Sequence, residues 1–238
     1  SAMMAHTKNA KHNDGHSSMK RIGILGGTFD PVHNAHIQMA VEAKQALHLD
    51  EVRLIPCHKP PHRDVPAATS AQRLSLLKLA IEEQDDLRVD DREIQRDTAS
   101  YTVDTLLSLR QELGDQVSLV FLLGTDAFVQ MHTWHRWQAL RDLAHIAVMS
   151  RPDSAQVTHT TLKEWVNTAD TPSVIDTQAA GGFIMLSQSL LAISATDIRQ
   201  QLSQQLTPTE LPATVAQYIQ EQGLYQHNTS VKNTDKRL

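Results

Sequence analysis

Short apolar runs alternate with longer stretches of helical spacing along the whole chain, and this alternation constrains the fold more than any other feature. The runs lie at 20–25 (KRIGIL), 52–55 (VRLI), 87–89 (LRV), 117–123 (VSLVFLL), 145–149 (HIAVM) and 183–186 (FIML). Near-continuous apolar character suits strands covered on both faces, because a strand with one wet face alternates polar and apolar residues. Helical patterns fall near 35–48, 70–84, 101–113 and 134–143, with Ser70 and Ser100 as expected N-caps. The alternation predicts an α/β fold with a doubly wound parallel sheet rather than a bundle or sandwich. C-terminal helices are expected from the cap Ser194 to about Ser203, and between Pro212 and Gly223 in PATVAQYIQEQG. The stretch 152–182, rich in Thr, Asp and Pro, is expected to be a loop-rich crossover.

The 238 residues suffice for one sizeable core. A net charge of −5 provides no general attraction for nucleic acid or an anionic membrane, although local basic groups can still bind small anions. Cys57 is the single cysteine, which rules out an intramolecular disulfide and points to a reducing, cytoplasmic setting. No apolar run approaches the roughly 20 residues that a bilayer span needs. Residues 1–18 and 227–238 are polar and aperiodic and read as disordered tails around a domain at 19–226, with Met19 an alternative start. Oligomeric state leaves no signal in the sequence.

The connection after the first strand, GGTFDPVHNAH at 26–36, packs two glycines, a proline and two histidines into one turn. Ligands of an open parallel sheet bind beyond the carboxyl ends of its strands, and the first strand-to-helix turn commonly holds phosphate. Gly26 and Gly27 let backbone approach a ligand, and the following helix brings N–H groups and a positive dipole end. His33 and His36 share a face if that first turn is helical, so both imidazoles can donate to phosphate oxygens and add charge if protonated. The competing reading is that one histidine caps the helix and the other lies idle on the surface. No G-x-G-x-x-G and no G-x-x-x-x-G-K-[ST] occurs, which removes two familiar nucleotide-binding turns. A metal site at His33 and His36 would need further ligands, with His58 and His62 as candidates, and none is expected.

The stretch GGTFDPVHNAH resembles the signature of the HxGH nucleotidyltransferase superfamily, within which the chain is similar to the bacterial nicotinate-nucleotide adenylyltransferases. The resemblance continues through IPCHKPPHR (55–63), SYTVDTL (100–106), FLLGTDAF (121–128), TWHRW (133–137), SRP (150–152), ISATDIR (193–199) and VAQYIQEQGLY (215–225). It departs from the usual pattern at Ala35 (glycine elsewhere), His135 (an aromatic such as tyrosine), Asp153 (glycine) and Ala195 (often serine).

This resemblance implies a Rossmann-like nucleotidyltransferase fold and adenylyl transfer from ATP, with Mg²⁺ carried by the nucleotide, to nicotinate mononucleotide. It implies ATP contacts from Gly26, Gly27, Thr28, Phe29, His33, His36, Gly124, Asp126, Ser194, Thr196 and Arg199, with His33 and His36 catalytic. Lys59, His62, Arg63, Thr102, Trp134 and Arg151 would then serve the acceptor. Residue types alone also admit plainer roles: Asp126 and Ser194 as helix caps, Lys59 as a solvated loop charge, and Trp134 as core packing. Another phosphorylated acceptor, or a non-catalytic nucleotide sensor on the same fold, are the alternatives. An aminoacyl-tRNA synthetase is disfavoured by the short chain and the missing K-M-S-K-S loop.

Overall fold

A computed structural model describes residues 19–61, 63–150, 156–188 and 191–226. Among the described residues one six-stranded sheet forms, all neighbours parallel, in the order β3-β2-β1-β4-β5-β6. The strands are β1 (Arg21–Gly27), β2 (Glu51–Pro56), β3 (Leu87–Val89), β4 (Ser118–Gly124), β5 (His145–Ser150) and β6 (Phe183–Ser187). The helices are α1 (Asn34–Ala46), α2 (Ser70–Ile81), α3 (Arg92–Gln95), α4 (Thr102–Leu113), α5 (Thr125–Phe128), α6 (Leu140–Leu143), α7 (Thr160–Asn167), α8 (Val174–Thr177), α9 (Ala195–Ser203) and α10 (Ala213–Gln222).

Two apolar layers sandwich the sheet, as the continuous apolar runs require. On one face Ala40 and Ala43 of α1, Leu76 and Leu77 of α2, Ile198 of α9 and Val215 and Ile219 of α10 pack on Leu25, Val52, Leu54, Val120 and Leu122. On the other, Val103, Leu106 and Leu109 of α4, with Leu140 and Leu162, pack on Ile22, Ile24, Phe121, Leu123 and Ile146. Gly23 is fixed by the first layer: a Cβ there would lie 2.8 Å from Leu49 and 3.1 Å from Val52. His145 is fully buried and satisfied, with Nε2 2.7 Å from the Gln178 carbonyl and Nδ1 accepting from the Gly182 N–H at 2.8 Å.

Strand order reverses at β1. The chain winds outward to β2 and β3, then returns to place β4 on the other side of β1. The carboxyl ends of β1 and β4, Gly27 and Gly124, therefore flank the crevice where this class of sheet binds its ligand.

Several local expectations are corrected. The cap of α2 is Thr69, in a capping box with Gln72, not Ser70. The cap of α4 is Tyr101, which contributes no side-chain bond, because the Ser100 hydroxyl is engaged by the backbone of residues 58 and 59. The pattern at 134–143 is not one helix. Arg136 adopts a left-handed φ of 50°, and the segment breaks into the short 3₁₀ turn Trp137–Ala139 followed by α6. The crossover at 152–182 contains α7 and α8. Ser194 does cap α9, and Gly223 ends α10 with a left-handed φ of 62°. Both tails, 1–18 and 227–238, lie outside the described residues, as do His62, Arg151 and Asp153.

Candidate active site

The turn after β1 is pinned before any ligand arrives. Asp30, 6% exposed, accepts from the N–H groups of Ala67 and Ala68 at 2.8 and 3.1 Å and from the Tyr225 hydroxyl at 2.8 Å. Arg73 of α2 is 1% exposed and points beneath the turn, donating to the carbonyls of Thr28 at 2.8 Å and Cys57 at 2.7 Å. From α9, Arg199 donates to the Asp30 carbonyl at 2.8 Å and reaches Thr196 Oγ1 at 3.3 Å. Residues 28–36 and 194–199, more than 150 positions apart, thus meet at one end of the sheet.

His33 caps α1, so the helix-cap reading of that residue holds, but neither histidine is idle surface. Their rings stack with centroids 3.7 Å apart at 24°, and Phe29 packs edge-on against His36 at 4.9 Å. His36 Nδ1 accepts from the His33 N–H at 3.1 Å, which fixes the proton of the neutral ring on Nε2. Burial lowers His33 to about 4, and burial followed by the neighbouring His33 lowers His36 well below its ordinary value. In the free protein both are therefore neutral N–H donors rather than the cations that protonation would make them. The end of α1 is less open than its sequence suggests, since the Asn34 N–H donates to the Glu210 carbonyl at 2.9 Å. Imidazole N–H groups, not that amide, are left to meet an anion. Gly26 is exposed at the strand end, with only the Ile55 carbonyl, 4.0 Å away, near an added Cβ. Gly27 lies under the Phe29 ring, 3.4 Å from where a Cβ would be. Phe29 itself is 2% exposed, so its ring supports His36 and does not face solvent. Gly124 precedes α5, on whose first turn Asp126 is exposed.

A second set of residues gathers beyond β2 and at the start of α4. Lys59 pairs with Asp97 at 3.2 Å, with side chains 55% and 97% exposed, a pairing of little energetic weight. Arg63 is exposed. Thr102 opens α4, whose N-terminus lacks a side-chain cap, in contrast to α2 and α9. Half-buried Trp134 packs edge-on against Phe121 at 6.1 Å, so the core-packing reading is also partly right. Its N–H is committed to the Met131 carbonyl at 3.0 Å, so that amide offers a ligand nothing. His135 stands in for an aromatic, its ring 4.4 Å from Tyr101.

Sequence reasoning missed Tyr101 and Arg73. Tyr101 lies within SYTVDTL, where the resemblance points to Thr102 instead. Arg73 carried a signal only in retrospect, as a basic residue on the buried stripe of α2 with Leu76 and Leu77. Among the described residues no group of three or more His, Cys, Asp or Glu side chains is placed to hold a metal ion. Among them, too, no helix is long and apolar enough to cross a membrane.

Comparison with known proteins agrees with this geometry. The cytidylyltransferase-like family matches residues 24–201. A protein of Cellvibrio japonicus named as a probable nicotinate-nucleotide adenylyltransferase is 46% identical over 209 residues, covering 86% of this chain and 98% of the relative. One of the same name from Aeromonas salmonicida is 45% identical over 210 residues, 86% of this chain and 97% of the relative. The structure of Plasmodium falciparum nicotinic acid mononucleotide adenylyltransferase complexed with NaAD shares the fold, with a TM-score of 0.69 at 16% identity over 88% of this chain and 99% of that one. With its switch-point crevice, stacked histidine pair and matched length, the chain belongs to the cytidylyltransferase-like family, among the nicotinate-nucleotide adenylyltransferases.

Proposed function

We propose that the domain at 19–226 transfers the adenylyl group of ATP to nicotinate mononucleotide, giving nicotinate adenine dinucleotide and pyrophosphate for NAD biosynthesis. The observation that carries this reading is the neutral, stacked His33–His36 pair at the β1/β4 switch point, with Arg199 held against the same turn. A phosphate oxygen of the mononucleotide attacks the α-phosphorus of ATP, and the bond from that phosphorus to the bridging β-oxygen breaks. The nucleophile is already ionised and pyrophosphate leaves as an anion, so no side chain has to move a proton. The barrier lies in anion repulsion and alignment, which fixed N–H donors and guanidinium charge lower.

His36 Nε2–H is assigned to the α-phosphate and His33 to the neighbouring phosphates. Gly26, Gly27, Thr28 and Phe29 line the nucleotide with their backbone. Ser194, Thr196 and Arg199 hold the triphosphate tail, and Gly124 and Asp126 take the adenosine ribose. ATP enters as its magnesium complex, with the metal arriving on the substrate. On the acceptor side Lys59, His62 and Arg63 meet the mononucleotide phosphate, Thr102 and Trp134 the pyridine ring, and Arg151 the nucleotide. The uncapped first turn of α4 supplies the N–H groups for the nicotinate carboxylate. The protein acts in the cytoplasm and needs neither nucleic acid nor a membrane.

Pyrophosphate release with ATP and a panel of acceptors tests the reading. Nicotinate mononucleotide should support turnover, while pantetheine phosphate and polyol phosphates should not. Turnover with one of the latter instead would assign the chain to a different transferase, and none with any acceptor would favour a nucleotide sensor.

A further inference from the structure

Glu93, on α3, is 7% exposed and takes no part in the transfer chemistry described above. One hydroxyl bonds its carboxylate and a second lies nearby. Thr105, on α4, donates to Glu93 Oε2 at 2.8 Å while its own oxygen accepts from Arg96 Nη2 at 2.7 Å. Ser100, just before α4, lies near enough to the same carboxylate to favour its charged form. The Ser100 oxygen also receives the N–H groups of His58 at 3.1 Å and Lys59 at 3.4 Å, and the Ser100 N–H donates to the Lys59 carbonyl at 3.1 Å.

A hydroxyl has one proton to give. Both hydroxyls already accept from N–H donors, and the Thr105 proton goes to Glu93. The site around Glu93 is built of donors, and a proton on the carboxyl removes acceptor capacity that those donors need. The consequence reaches past α3, because Ser100 ties down the loop that carries Lys59, and Thr105 lies one helical turn beyond Thr102.

We propose that Glu93 is a positioning residue for the acceptor site: acting through Thr105, it fixes the start of α4, where Ser100 holds the His58–Lys59 backbone, and so sets the two walls between which nicotinate mononucleotide binds. This inference rests on the reaction assigned above. It also makes acceptor binding respond to pH. Burial pushes the Glu93 carboxyl up to about 7, against the pull of the Thr105 hydroxyl, the Arg96 guanidinium and the Ser100 hydroxyl. Asp90, at the end of β3, adds to the rise, and the Cys57 thiol faces Glu93 from the end of β2. α4 contributes the neutral Thr105, and Lys59 and Asp97 pair with each other at the loop. Protonation of Glu93 as pH falls through about 7 therefore loosens the acceptor walls without touching the ATP turn.

Glu93→Gln imitates the protonated form, since one acceptor oxygen becomes a donor. Steady-state kinetics with ATP and nicotinate mononucleotide should show an acceptor KM raised roughly tenfold at about pH 8, the cost of one poorly met buried hydrogen bond, with ATP KM unchanged. The ratio of variant to wild-type KM should fall towards one by about pH 6, where wild type is itself protonated; ionisation of the substrate cancels in that ratio. Ser100→Ala, which cuts the link while leaving Glu93 in place, should raise the acceptor KM by a similar factor and keeps the test open if Glu93→Gln does not fold. A ratio that is flat with pH, or an equal rise in ATP KM, would overturn the positioning role. Wild-type protein that does not use nicotinate mononucleotide at all would overturn the reaction assigned to the site, and this inference with it.

Discussion

The two halves of the site are built to different standards. The ATP turn is fixed from several directions: Asp30 accepts three bonds, Arg73 holds the Thr28 carbonyl from below, and the two imidazoles stack with the His36 tautomer set. The acceptor half carries its charges on the outside, with Lys59 and Arg63 exposed and the nearby Val65 91% exposed. Its rigid parts are the backbone at residues 58–59 and the first turn of α4. The difference follows the chemistry. Charge shifts among the oxygens around the α-phosphorus of ATP, where donors must already be in place because reorganising them would cost rate. The acceptor brings its own charge and needs capture and orientation, which groups ordered on binding can provide. Mutations in the first half should therefore strike kcat, and those in the second should strike acceptor KM.

The largest effect should come from His36→Ala, with kcat reduced on the order of 10²-fold or more and ATP KM little changed, in keeping with loss of one preorganised donor. A fall confined to ATP KM would erase the contrast between the halves. Next comes the pH dependence of the His33 environment. Its folded value of about 4 lies below the ordinary 6.5, so between those values the unfolded chain binds a proton that the folded chain does not. Stability is unaffected by this group above about pH 6.5 and falls as pH drops towards 4, by about 3 kcal/mol in all. Glu93, raised to about 7, pulls the opposite way over an overlapping range. Denaturant melts of wild type and His33→Gln from pH 7 to 4 isolate the histidine: wild type should lose ground steadily to the variant. Parallel curves would mean that His33 is not held neutral by burial. A smaller effect is expected of Trp134→Ala, which should raise acceptor KM by about tenfold through lost ring contact while sparing ATP KM. An unchanged acceptor KM would return Trp134 to a packing role alone.

Much of the sheet was legible because strands buried on both faces must be apolar throughout, as in VSLVFLL, which becomes the fully covered core of β4. The glycine- and histidine-bearing turn was equally legible, since GGTFDPVHNAH lies within one connection of β1 and α1. What failed to show were features set by distant partners. Ser100 has the right type and place for an N-cap, yet residues 58 and 59 take its hydroxyl. Arg136 gives no local warning of its left-handed backbone, so 134–143 reads as one helix. α7 carries an apolar stripe of Leu162, Trp165 and Val166, but only eight residues long and set in a Thr-, Asp- and Pro-rich crossover it is easily passed over. Arg73 and Glu93 are charged residues on helices, ordinarily solvated; only the fold turns them inward beneath the two halves of the site.

Substrate discrimination tests the account most directly. Nicotinate and nicotinamide mononucleotides share ribose, phosphate and pyridine, so only the carboxylate or amide end can distinguish them. The uncapped first turn of α4 presents donors. Against them the amide NH₂ would stand donor to donor, leaving buried groups unpaired, a mismatch that can separate substrates by far more than shape does. Steady-state kcat/KM should favour nicotinate mononucleotide strongly, with the gap carried by the acceptor terms and ATP KM the same for both. Equal values, or a preference for the amide, would contradict the acceptor half of the account and leave adenylyl transfer at the histidine pair standing.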